Sequence, residues 1–532
     1  MAPKTKRYEK KDPISHCLDR PDMYVGSVRL RNIMEYIAQK QDDASWKIFH
    51  QEINSSPAIL RIFVEALSNA VDNVERSKGT TTPCTMIKVT INEETGETSI
   101  WNDGDVVPIE MNEEEKCYNH SMIFGQLLTG SNYDDEEERV TAGRNGLGIK
   151  LVSIFSSKFQ VEGCDPTKKL ILTQDWTDNM RKISEPTLRS SRLKGYTKVT
   201  WTPDFSRFGL NKYTEDIIKL YHRYVIDAAM ISKIKVYLNG ELIPVTNLSQ
   251  YGELFADAEP EKLLIKTKTC DVLVTPSSSY QAISFVNGIY TRLGGQHVES
   301  WTETVFRPIV DKINGKDKKQ QKVKTPKITI ADVRQFFRVF VVATVVRPEF
   351  NGQEKEKLES PSIPSEIKTT QLSTIYKWSV MQSIEDILKS KEMSVLKKVE
   401  KKKKFIKIDG MDQANNAGSK HSSDCSLFIC EGLSAKTYVV SGIDTGVYGK
   451  QGRDWFGVLP ITGKVLNVRN ATPTSIASNK VIVSFIQALA LQHGIDYTEE
   501  KNFKSLNYGK VILIADADDD GLHIESLLIN LI

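Results

Sequence analysis

The 532-residue chain is short of the features that usually place a protein quickly. It has seven cysteines, an odd number with no C-x-x-C pair, which argues against a disulfide framework or a zinc site and leaves a reducing compartment as the default. Cys425 and Cys430 read as core thiols. No stretch reaches the roughly 18 apolar residues of a membrane span, and the start, Met1 to Arg7, is polar and basic with no signal-peptide core. A soluble intracellular protein is expected. Net charge is also scarce: 71 basic residues face 68 acidic ones, so the total of +3 says nothing about partners and charge has to be read locally. With 40% hydrophobic and 26% charged residues the chain is not disordered, and its length suggests about three domains.

Lysine-rich breaks mark the divisions. Asp311 to Lys327 carries seven Lys and two Asp, a composition expected in an exposed basic loop and suited to contacting a phosphate backbone. Lys389 to Lys407 holds nine Lys, either a solvated surface or a nuclear import signal. The provisional domains are residues 1–240, 241–410 and 411–532, with no internal repeat and no coiled coil.

Two groups of residues carry chemistry. In the first, Ser56 and Pro57 start a helix that runs from Ile59 to Val74 without a breaker. Glu65, Asn69, Asp72 and Asn73 share one of its faces. A lone Glu-x-x-x-Asn describes many solvated helices, so the neighbourhood decides. Ile87–Ile91 and Ser99–Trp101 read as a hairpin that delivers Asn102-Asp103-Gly104 at a strand end. Gly143-Arg144-Asn145-Gly146-Leu147-Gly148-Ile149-Lys150 then runs into an apolar helix. Its glycines allow close backbone approach to phosphate oxygens, the helix start offers free N–H groups, and Lys150 adds a charge. Neither a P-loop nor a dinucleotide fingerprint fits this order.

Together these residues resemble the GHKL ATPases, the group that includes gyrase, Hsp90, histidine kinases and MutL. The resemblance implies that Glu65 polarises the attacking water, Asn69 ligates magnesium, Asn102 reads adenine, and ATP with Mg2+ occupies the site. Flanking segments narrow it. Arg20-Pro-Asp-Met-Tyr-Val-Gly-Ser27, Leu127-Leu-Thr-Gly-Ser-Asn-Tyr-Asp134, Val286-Asn-Gly-Ile289, Gly294-Gly-Gln-His297 and Gln353-Glu354-Lys355 resemble the eukaryotic-type branch of the type IIA DNA topoisomerases. That likeness makes Lys355, on a loop of a second domain called the transducer, the sensor of the terminal phosphate, with Gln353 beside it. It places Ser131 and Asn132 at ribose and phosphate, and Asn73 and Arg144 to Lys150 in the nucleotide site. It assigns Tyr24 to the partner subunit's site, so that ATP closes a homodimer with residues 1 to about 30 exchanged. Lys316, Lys318, Lys319 and Lys322 would sense DNA. Glu354 stands where the family has threonine, Gly130 where a serine is common, and Val106 where a second glycine is usual.

In the second group, two apolar runs, Leu427–Cys430 and Val511–Ala515, end in Glu431-Gly432 and in Asp516-Ala-Asp518-Asp-Asp520-Gly521. Acids at the carboxyl ends of parallel strands sit where open sheets place ligands. An EF-hand is excluded because the twelfth position is Leu527 and a strand precedes the acids. Oxygen-only donors favour magnesium. The pair resembles the TOPRIM domain, which implies metal ligation by Glu431, Asp516, Asp518 and Asp520, with Lys464 and Arg469 facing DNA. Leu433 occupies a place that is acidic in that family.

The expected fold is α/β: a GHKL (Bergerat) sandwich, a transducer of the ribosomal-S5-like βαβ type and a partial Rossmann-like TOPRIM domain. The expected activity is ATP-dependent passage of one DNA duplex through a transient break in another. The chain ends shortly past Asp520, so a longer enzyme is expected to supply the DNA-attacking tyrosine, leaving this portion an ATPase. Alternatives are a MutL-like or Hsp90-like clamp without cleavage, or a TOPRIM primase or nuclease. The departures are similar to those of large cytoplasmic DNA viruses, so the expected location is the host cytoplasm if viral and the nucleus if cellular.

Overall fold

The computed structural model describes residues 11–127, 129, 146–315, 327–352, 354–400, 408–447, 449–461, 465–471 and 473–532, with side chains omitted at 395–400 and 470. The chain divides into two compact units, Met1–Pro308 with Val333–Trp378 and Ile309–Asp332 with Ser379–Ile532. Among the described residues no helix is long and apolar enough to cross a membrane.

The first unit contains two principal sheets. The larger has nine strands, eight of them in the order Thr187–Ser190, Leu170–Thr177, Ser156–Asp165, Tyr196–Pro203, Thr98–Asp103, Met86–Ile91, Lys235–Leu238, Glu241–Leu242, while Lys182–Ile183 pairs with Leu170–Thr177. All its pairs are antiparallel except Met86–Ile91 with Lys235–Leu238. The predicted hairpin is the Met86–Ile91 and Thr98–Asp103 pair, in which Ile87 and Asn102 are partners.

The expected helix spans Pro57–Arg76, with Ser56 as its cap and Pro57 in the first turn. Ile59, Ile62, Phe63, Ala66, Leu67 and Ala70 bury one side of it in a core shared with Ile87, Val89, Ile100 and Trp201. Phe63 stacks on Tyr221 of the Glu215–Ser232 helix at 3.9 Å, and the Tyr221 hydroxyl donates to the Ile59 carbonyl at 2.7 Å. With that side committed to packing, the polar stripe must face away from the core.

The second sheet has the order Leu263–Lys266, Cys270–Pro276, Phe337–Ala343, Gln281–Val286, Ile289–Tyr290, with Gln281–Val286 parallel to Phe337–Ala343. A short hairpin, Glu349–Phe350 with Leu358–Ser360, carries the loop 351–357. Its base presses on the Gly294-Gly295 turn: Leu358 N–H donates to the Gly294 carbonyl at 3.0 Å, and a Cβ on Gly295 would lie 2.2 Å from the Leu358 carbonyl oxygen.

The second unit is built on three parallel strands in the order Phe456–Ile461, Ser426–Glu431, Lys510–Ile514. Leu427 and Ile429 enter one apolar cluster and Phe428 and Cys430 another. That alternation onto two covered faces accounts for the continuous apolar run in the sequence.

Candidate functional site

The polar stripe of the Pro57–Arg76 helix faces a cavity of about 420 Å³ in the first unit. Glu65, Asn69, Asp72, Asn73 and Arg76 line it from the helix, Asn102 from the strand end, and Gly146 to Lys150 from the loop entering the Gly148–Ile154 helix. Lys355 lines it from the 351–357 loop. Ile100, Val107, Ile123, Phe124 and Val199 add an apolar wall. A polar end beside an apolar slot is the arrangement that accepts a planar ring joined to a charged tail.

Glu65 is held on both sides. Arg61, one helical turn earlier, reaches its Oε1 at 2.5 Å, and both side chains are mostly buried. Its Oε2 lies against the Gly148 Cα so closely that a Cβ there would be 2.0 Å away. Gly148 therefore has a steric role of its own: any side chain at that position would push the carboxylate out of place.

Lys150 is 2% exposed, and its ammonium donates to the carbonyls of Thr129 at 2.6 Å and Gly146 at 2.7 Å. Burial pushes its pKa down to about 8. Asn73 commits its amide to the protein. Its Nδ2 donates to the carbonyls of Asp103 and Asp105 at 3.2 and 3.1 Å, and its Oδ1 accepts from Arg76 at 2.9 Å. Asn73 thus fixes the turn after Asn102. Asp103 fixes it from the other end, accepting from the Thr85 and Met86 backbone N–H groups, each at 2.8 Å. Gly104 adopts φ +105°, and a Cβ there would meet Cys84 at 2.8 Å. Asn102 is 7% exposed, with its Nδ2 on the Asp103 carbonyl at 3.0 Å.

The cavity brings together Glu65, Asn69, Asn73, Asn102, Gly146, Leu147, Gly148, Ile149, Lys150 and Lys355. Tyr24 is not among its lining residues; its hydroxyl pairs with His16 Nδ1 at 2.9 Å. Ser131, Asn132, Gly143, Arg144, Asn145 and Gln353 lie outside the described residues, as do Lys316, Lys318, Lys319, Lys322 and Lys464. Arg61 and Thr197 were not singled out from sequence. The i,i+4 spacing could have flagged Arg61. Thr197 had no local signal, because it reaches the cavity through its cross-strand pairing with Asn102.

In the second unit, Glu431 ends its strand and Asp516, Asp518 and Asp520 follow the adjacent parallel one, so all four occupy the same sheet edge. Glu431 Oε2 is buried without a hydrogen-bond partner, an orphaned anionic oxygen of the kind a cation would satisfy. Asp518 caps the Asp519–Leu531 helix, its Oδ1 accepting from Gly521 N–H at 2.8 Å. Gly521 is required there, since a Cβ would lie 2.2 Å from the Asp516 carbonyl oxygen. Among the described residues no three His, Cys, Asp or Glu side chains converge as a metal-ligand group. Leu433 is 63% exposed in the first turn of the Gly432–Thr445 helix, and Arg469 is an exposed residue of a short 3₁₀ turn.

Residues 232–407 match the family model described as DNA gyrase B. The chain is 40% identical to DNA topoisomerase 2 of Invertebrate iridescent virus 6, over 99% of its own length and 48% of that protein. It is 37% identical to DNA topoisomerase 2-alpha of Gallus gallus, over 99% of its length and 34% of that protein. It therefore spans half or less of the length of these curated relatives. Among solved structures, the ATPase and transducer domains of DNA topoisomerase II from Balamuthia mandrillaris align with TM-score 0.66 and 32% identity, covering 73% of this chain and 98% of that one. The ATPase region of Saccharomyces cerevisiae topoisomerase II aligns with TM-score 0.65 and 32% identity, covering 72% and 98%. A match at 32% identity over 98% of each of these topoisomerase II ATPase-region chains means that the chain belongs to the type II DNA topoisomerase family.

Proposed function

We propose that this chain binds and hydrolyses ATP in the Glu65–Lys150 cavity, and that in the whole enzyme the resulting closure of a homodimer drives one DNA duplex through a break in another. The observation that carries this reading is the meeting, in one cavity, of a braced carboxylate, an amide one helical turn away, a glycine-rich helix start and two lysines from different segments. The domains are residues 1–240 for nucleotide binding, 241–410 for the transducer and 411–532 for the metal-binding TOPRIM portion.

Adenine enters the apolar slot, with Asn102 at its polar edge. The triphosphate runs along Gly146 to Lys150, where backbone N–H groups and the Lys150 ammonium meet its charge. Arg61 and Gly148 hold Glu65 in one rotamer, so its carboxylate can orient and deprotonate the attacking water without rearranging. Asn69 would hold Mg2+, which supplies charge neutralisation between the phosphates when bound. Lys355 contributes a cation from the transducer. Its attraction for the terminal phosphate exists only before hydrolysis, so the loop's position reports the nucleotide state. Glu431, Asp516, Asp518 and Asp520 would hold Mg2+ for DNA chemistry, with Lys464, Arg469 and the Lys316–Lys322 loop on the DNA backbone. The orphaned Glu431 oxygen supports that assignment.

The Glu65→Ala variant tests the reading. Turnover should fall by ~100-fold or more while nucleotide affinity changes only a few-fold, measured by phosphate release and by titration with a non-hydrolysable analogue. Normal hydrolysis by this variant would overturn the assignment.

A further inference from the structure

Lys355 sits on a loop whose base and tip are held by different means. The base is anchored by backbone bonds on the Gly294-Gly295 turn and by the Arg292–Glu356 ion pair at 2.8 Å. At the tip the Lys355 N–H donates to the Gly352 carbonyl at 3.1 Å, and Lys355 adopts φ +56°, a left-handed conformation that a lysine does not favour. Such a residue stays in place only when its surroundings hold it.

Glu354 is the neighbour in position to do so. Its Oε1 lies against Gly26, where a Cβ would be 3.0 Å from that oxygen and 3.1 Å from Pro57 Cβ. Gly26 has φ +85° in the turn that follows Pro21–Met23, and the next residue, Ser27, accepts from the Ala58 N–H at 3.2 Å at the start of the Pro57–Arg76 helix. The Glu354 carboxylate and Pro57, the first residue of the 20-residue helix that carries Glu65 and Asn69, thus both pack against Gly26. A side chain as short as threonine could not reach this position from the same backbone.

We propose that Glu354 is a positioning residue that seats the loop carrying Lys355 against the Gly26 turn, beside the head of the Glu65 helix, before nucleotide arrives, so that Lys355 already faces the cavity. This rests on the ATP reading above and adds a consequence to it. Much of the ordering of the loop that nucleotide would otherwise have to bring about is built into this chain. The terminal phosphate then meets a pre-placed cation, which raises affinity for triphosphate over diphosphate without any new contact to the ligand.

The test compares wild type, E354A, E354Q and K355A. E354A should weaken binding of a non-hydrolysable ATP analogue by ~5–10-fold and leave ADP within about 2-fold, because only the terminal phosphate faces Lys355. E354Q, which keeps the reach, should recover most of the loss. The double variant E354A/K355A should bind the analogue no more weakly than K355A alone, since the two residues act through one contact. In nucleotide-free protein, amide hydrogen exchange of residues 351–357 should speed up in E354A while that of the Pro57–Arg76 helix does not change.

Equal losses for ATP analogue and ADP, or additive losses in the double variant, would overturn the proposal. A wild-type chain that binds neither nucleotide overturns the ATP reading and this role with it. An intact nucleotide response with unchanged exchange at 351–357 overturns this inference alone.

Discussion

The nucleotide cavity and the acidic edge of the three-stranded sheet are both built from charged side chains at the ends of regular elements, yet they are prepared to different degrees. In the cavity the buried polar groups already have protein partners: Lys150 on two carbonyls, Asn73 on three groups, and Glu65 on Arg61. At the acidic edge Glu431 keeps an oxygen without one, Asp518 is engaged in capping a helix, and Leu433 is exposed beside them. A site whose rotamers are locked by its own protein is ready for chemistry as soon as ligand enters. One that leaves a buried carboxylate oxygen without a partner needs a cation to organise it.

The sharpest way to break this contrast is to loosen the prepared site. In Gly148→Ala the new Cβ would meet Glu65 Oε2 at 2.0 Å, so either the carboxylate or the helix start must move. ATP turnover should drop by roughly 100-fold, since an ångström-scale misplacement of a catalytic group has that order of effect. The fold should survive with a loss of about 1–3 kcal/mol, read from denaturant midpoints. Turnover near wild type would show that Glu65 is not held as tightly as the geometry implies.

A smaller effect tests the charge in the same cavity. Lys150 has a folded pKa lowered to about 8 from an ordinary 10.5, so between these values the unfolded chain binds more protons than the folded one. Its contribution therefore raises stability as pH climbs from about 8 to 10.5, and the destabilising cost of its buried charge is fully present below 8. A triphosphate beside Lys150 favours the ammonium form and raises that pKa. Binding at pH 8.5 or so should then be accompanied by proton uptake, measured by calorimetry in buffers of different ionisation enthalpy, and Lys150→Met should abolish the uptake. The smallest change is expected at the other site. Leu433→Asp should tighten Mn2+ binding to the acidic edge by a few-fold, and Glu431→Gln should weaken it, both read by titration with the metal alone. Binding that ignores both substitutions would remove Glu431 from the metal set.

Much of the cavity was legible because its parts are local. Ser56-Pro57 announces a helix start, an uninterrupted run carries it to Val74, two residues short of its end at Arg76, and a period of 3.6 puts Glu65, Asn69 and Asn73 on one face whatever the rest of the chain does. The hairpin before Asn102 and the two apolar strands before the acids follow from the same short-range logic. Less legible were the groups that act through partners distant in sequence. Asn73 looked like a ligand-facing residue, but its amide hydrogens both go to the turn at Asp103–Asp105. Gly148 looked like a phosphate glycine and proves also to make room for Glu65.

The amino-acid order by itself determined which segments become helices and strands and which side chains share a face, because backbone periodicity and capping depend on neighbours a few residues away. Tertiary structure alone decided what those faces meet: Gly148 against Glu65, Thr197 beside Asn102, Glu354 against Gly26. Such contacts arise from close packing of segments far apart in the chain, where a fraction of an ångström separates a fit from a collision, and no short-range pattern encodes that distance.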